Sequence, residues 1–126
     1  MDAFSRVIPP RYMQPVDRVT WPRGLSQLTL GRNFNQPIRG AVFPGSLQRL
    51  ELGDNFNQEV TGVRWPPDLE HLTFGQAFDR PIDGADWPLR LKRLTFGGSF
   101  NQPVGGVRWP PTLEELAFGR EFSQVL

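Results

Sequence analysis

Apolar positions along this chain recur every 22 residues rather than with the period of a helix. Stacked at that spacing, the chain supplies its own alignment. Three columns are apolar in every full copy: Leu25, Leu47, Leu69, Leu91 and Leu113; Leu28, Leu50, Leu72, Leu94 and Leu116; and Leu30, Leu52, Phe74, Phe96 and Phe118. The last two columns alternate with polar residues, which predicts a short strand with one face buried. A glycine follows at Gly31, Gly53, Gly75, Gly97 and Gly119. Its recurrence calls for positive φ or a close backbone approach where the strand turns away. Next come Tyr12, Phe34, Phe56, Phe78, Phe100 and Phe122, placed to fill the interior after that turn. Aromatic-Pro pairs at 21–22, 43–44, 65–66, 87–88 and 109–110 close each circuit.

Polar columns complete the coil. Met13, Asn35, Asn57, Asp79, Asn101 and Ser123 share one position, where short side chains can bond the backbone of a neighbouring turn. Pro15, Pro37, Pro81 and Pro103 then break any helix, with Glu59 substituting in one copy. A fixed period of this length marks a solenoid. The expected fold is a mainly β repeat solenoid with a short parallel sheet and a helix-poor, extended and turn-rich opposite side. It forms one unit over 1–126: a degenerate partial repeat at 1–20, full repeats at 21–42, 43–64, 65–86 and 87–108, and a truncated repeat at 109–126. A single copy holds too few apolar side chains to offset the ordering of its own backbone, so stacking is obligatory. Arg6 falls where a core Leu is expected, and Val125-Leu126 closes the chain without a polar cap, so the expectation is end-to-end homo-oligomerisation or a fragment of a longer array.

The string Leu-x-x-Leu-x-Phe-Gly-x-x-Phe-Asn-Gln-Pro-Ile/Val, plainest at 91–104 and 25–38, resembles the FNIP type of leucine-rich repeat. More distantly, the chain is similar to BspA-like leucine-rich repeats. The resemblance spans roughly 11–125. It implies a curved solenoid with its parallel sheet on the concave face, and an interaction module without catalytic residues. One departure stands out: the usual Asn position of leucine-rich repeats holds Asn33, Asn55, Ala77, Ser99 and Glu121. The polar ladder is therefore expected in the Asn35 column.

Charge changes this picture little in bulk and more in detail. Fourteen basic against thirteen acidic residues leave +1, so no broad field points to nucleic acid or anionic lipid. No apolar run is long enough to span a bilayer, and with no Cys there is no thiol chemistry. The absence of a signal sequence, of Cys and of an Asn-x-Ser/Thr acceptor leads to a cytoplasmic expectation. Neighbouring copies alternate in sign at Arg64–Asp86–Arg108, Glu70–Lys92–Glu114, Asp68–Arg90, Arg93–Glu115 and Arg32–Asp54. Opposite charges facing across a parallel rung are mildly favourable and would fix the stacking register.

Candidate chemistry is sparse. Asp79, Asp83 and Asp86 lack the spacing of a calcium loop. Gly97-Gly98-Ser99 and Gly105-Gly106 open no helix as a phosphate loop would, and Glu114 and Glu115 point to opposite sides of a strand. His71, the only His, has no nucleophile beside it. No catalytic residue, cofactor or metal is expected. What varies between copies is the outward strand surface: Gln27, Arg49, His71, Arg93 and Glu115 in one column, Thr29, Glu51, Thr73, Thr95 and Ala117 in the other. A constant frame with a varied face is how solenoids present binding sites. The expected contact set for a protein or peptide partner is Arg49, Glu51, His71, Thr73, Arg93 and Thr95. Carbohydrate binding is a further alternative, resting on Trp21, Trp65, Trp87 and Trp109.

Overall fold

A computed structural model describes residues 5–7 and 21–124. Six three-residue strands, β1 (Ser5–Val7), β2 (Gln27–Thr29), β3 (Arg49–Glu51), β4 (His71–Thr73), β5 (Arg93–Thr95) and β6 (Glu115–Ala117), form one sheet in chain order. All neighbours are parallel and each register is offset by one repeat, as in Leu28↔Leu50↔Leu72↔Leu94↔Leu116. The described residues contain no helix. The backbone register sets Arg6 opposite Leu28, where the sequence pattern places it. Tyr12, Met13 and Pro15, with Val125 and Leu126, lie outside the described residues.

Each coil is a strand joined by tight corners. The carbonyl of the proline after the aromatic accepts from the first core leucine, as in Leu69 N→Pro66 O at 3.1 Å and Leu113 N→Pro110 O at 3.1 Å. Pro67 and Pro111 occupy the second position of these corners, where a fixed φ suits the turn. A second corner runs from the column glycine to the aromatic, as in Phe34 N→Gly31 O at 3.0 Å. A third follows the Ile/Val position, as in Ala41 N→Ile38 O at 3.0 Å. Gly62 meets that third corner with φ +83°, a conformation that side chains resist.

The column glycines answer to the other requirement, close approach. A Cβ built on Gly75 would lie 2.4 Å from the carbonyl oxygen of Gly53, and one on Gly97 2.3 Å from that of Gly75. Successive coils therefore touch backbone to backbone along this edge.

The interior is a ladder of like on like. Phe34, Phe56, Phe78, Phe100 and Phe122 stack at ring separations of 6.0–6.2 Å. Phe74 and Phe96 fill the spaces beside that column at 4.2 Å from Phe78 and Phe100. The leucine columns are fully buried from Leu25 to Leu94, whereas Leu113, Leu116, Phe118 and Phe122 in the last coil are half-buried.

The Asn35 column carries the expected ladder, and each rung points the same way. The backbone N–H groups of Asn57, Asp79, Asn101 and Ser123 donate to the side-chain Oδ1 of the preceding coil's Asn35, Asn57, Asp79 and Asn101, at 2.8–3.0 Å. The neighbouring Gln column doubles it: Gln58, Gln102 and Gln124 donate Nε2 to that same Oδ1 at 2.9–3.0 Å. Where the column holds Arg80, its Nε donates to the Asn57 carbonyl at 3.1 Å. These bonds satisfy backbone groups that a strand of three residues leaves open.

Candidate partner-binding face

In β2 to β6 the middle residue of each strand points into the core and its two flanking residues point out, the period-2 alternation of a pleated strand. Arg49, His71 and Arg93 are register partners in one outward row, and Glu51, Thr73 and Thr95 in the other. The structure thus brings all six expected contact residues onto one sheet face, at ~4.8 Å per rung. They form two rows rather than a convergent pocket. Arg49, Glu51 and Arg93 are exposed; His71, Thr73 and Thr95 are half-buried.

His71 sits between two guanidinium groups. Partial burial, then Arg49 and Arg93, hold its pKa below the ordinary value, with Lys92 adding in the same direction and Glu70 opposing. Above the ordinary imidazole range the ring is neutral and can both donate and accept. Arg93 has a partner already: its Nε lies 3.2 Å from Glu115 Oε2.

Three of the expected sign alternations close into ion pairs: Arg93–Glu115, Arg90–Asp68 at 3.5 Å and Lys92–Glu70 at 3.9 Å. The others do not. Lys92 does not bridge to Glu114, and among the described residues Arg64, Asp86, Arg108, Arg32 and Asp54 form no ion pair. Exposed pairs gain little against the entropy of two long side chains, so a facing column alone does not close them.

Beside the Glu51 row runs a groove of about 430 Å³, lined by Thr29, Arg32, Glu51, Asp54, Thr73 and Gln76. Gly53 and Gly75 also line it, and carry no side chain because the neighbouring coil is too close. Asp54 and Gln76 are absent from the expected contact set. The signal was in the sequence: a column that must be glycine in every coil leaves a trough along the stack.

Trp21, Trp65 and Trp87 are only 9%, 8% and 6% exposed. Trp65 and Trp87 stack at 6.0 Å, and the indole N–H groups of all three are enclosed without a hydrogen-bond partner. Three of the four rings on which the carbohydrate alternative rested are therefore unavailable as open stacking platforms; Trp109 is half-buried. Among the described residues no cluster of three His, Cys, Asp or Glu side chains is arranged to hold a metal, and no helix is long and apolar enough to cross a membrane.

A parallel-strand solenoid with a 22-residue coil, held by identical interior ladders and carrying its variation on one sheet face, is a repeat scaffold. The sequence matches the FNIP Repeat at residues 12–55, 34–77 and 78–121. This chain belongs to the FNIP repeat family. No curated protein matches it.

Proposed function

We propose that the chain is a non-catalytic scaffold that binds a protein or peptide through its outward sheet face. The observation supporting this reading is the contrast between columns. Leu50, Leu72 and Leu94 are identical and buried, while the residues flanking them change in charge and size from coil to coil on a single exposed surface. Binding to a flat, two-row face calls for an extended partner rather than a small molecule. The test is paired alanine replacement at Arg49/Glu51, His71/Thr73 and Arg93/Thr95, followed by quantitative recovery of interacting proteins from cells of the source. Loss of specific interactors with at least one pair is the expected result. Recovery of every interactor unchanged with all three pairs removes the proposal.

A second reading is self-association through coil ends, favoured by the half-buried Leu113, Leu116, Phe118 and Phe122. Sedimentation across a wide concentration range is its measurement. A mass that rises with concentration supports it, and a constant monomer mass excludes it. A cytoplasmic location belongs to the same proposed picture and is checked by imaging the tagged protein.

A further inference from the structure

The charges on the sheet side are not equivalent once their partners are counted. In the coils of β4, β5 and β6, opposite charges are used against each other, in Lys92–Glu70 and Arg93–Glu115. In the coil of β3, Arg49, Glu51 and Asp54 are exposed and form no ion pair among the described residues. The Glu51 carboxylate accepts a long hydrogen bond from Thr29 Oγ1, at 3.4 Å. Glu51 and Asp54 line the same groove, together with the exposed Arg32 of the preceding coil. Arg49 lies two residues before Glu51, ~6.6 Å along the strand.

We propose that this coil is the specificity-determining part of the face and takes an extended segment of a partner protein bearing one basic and one acidic side chain two residues apart. The basic group enters the groove lined by Glu51 and Asp54, whose two carboxylates outnumber the one guanidinium of Arg32 there, and the acidic group meets Arg49. The proposal rests on the binding-face reading and narrows it. In an extended chain, side chains two apart point to the same side at the same ~6.6 Å interval, so the two charge pairs form together. Charges left open at a rim select and orient a partner more than they tighten it.

The experiment is an NMR titration of the full isotope-labelled chain with three capped peptides: Thr-Asp-Thr-Lys-Thr, Thr-Asp-Thr-Asp-Thr and Thr-Lys-Thr-Lys-Thr. The mixed-charge peptide is expected to bind tightest and to shift amides of residues 49–55. E51Q/D54N is expected to weaken it roughly five-fold, the scale of an exposed ion pair, while R108Q, at an exposed position outside the two outward rows, leaves it unchanged. Preference for either single-sign peptide overturns the proposal, as do equal affinities, shifts centred on Arg93, or no shift with millimolar peptide. Failure here is separable from failure of the wider reading. If alanine at Arg93/Thr95 abolishes the cellular interaction while alanine at Arg49/Glu51 preserves it, the face is a binding surface and the β3 coil is not its selective part.

Discussion

Two glycines of the same chain are under opposite constraints. At Gly75 a methyl group would sit 2.4 Å from the Gly53 carbonyl oxygen and 2.7 Å from Asp54 Cα, both fixed backbone atoms. Gly75→Ala must push two coils apart, and a loss of about 3 kcal/mol or more is expected in chemical denaturation, in the range of large core disruptions. At Gly105 nothing lies within 4 Å of the same added atom. Gly105→Ala is expected to be neutral or to stabilise by about 0.4–1 kcal/mol through the unfolded chain. Equal effects at the two positions would contradict the backbone contact. His71 supplies a second residue-scale outcome. Its folded pKa is depressed by burial, Arg49 and Arg93, so the unfolded chain takes up the proton first. Its contribution is complete above the ordinary value of 6.5 and is lost as pH falls below it toward the lower folded value. His71→Gln, which copies the residue at Gln27, is expected to flatten this part of the stability-against-pH curve.

At the scale of the element, three-residue strands are too short to hold one another by their own ladder bonds, and the Asn and Gln columns make up the difference. Asn57→Ala removes the acceptor of the Asp79 amide. Leaving that N–H unpaired is expected to cost about 1–3 kcal/mol, read as a drop in denaturation midpoint. Asp79→Asn, which keeps an Oδ1 for Asn101 and Gln102, is expected to cost less than Asn57→Ala. The strand positions, the buried columns and the Asn ladder were legible in the sequence because each repeats five or so times, and repetition separates a required residue from a tolerated one. The role of Gln58, Gln102 and Gln124 was not, because a long amide reaching the preceding coil looks in sequence like any exposed Gln. The charge columns were only half legible. Facing positions are set by register, but whether Arg93 closes on Glu115 while Arg64 stays apart from Asp86 depends on side-chain freedom that spacing does not encode. The six expected contact residues do share a face, yet Asp54 and Gln76, which line the groove beside it, lie past the strand ends, where the varied outward columns do not reach.

Across the whole molecule, every strand pairs only with the coils before and after it. Removing residues 65–86 joins Arg64 to Trp87 and leaves every column in phase, so the shortened chain is expected to fold. Its denaturant sensitivity should fall with the surface it buries, since m scales with exposed area. Removing residues 65–75 instead sets core leucines against polar positions, and loss of cooperative unfolding is expected. Circular dichroism and urea titration of the two deletions distinguish these outcomes.

The amide ladder has a direction. In each coil the backbone N–H reaches back, and the side-chain oxygen is offered forward to whatever lies next. The stack is consequently polar in the sense that a filament is polar, with unlike ends. Any coil that joins it, whether from the same polypeptide or another, must enter facing the same way, and head-to-head pairing of two such arrays through like ends would bring acceptor against acceptor at one end or donor against donor at the other.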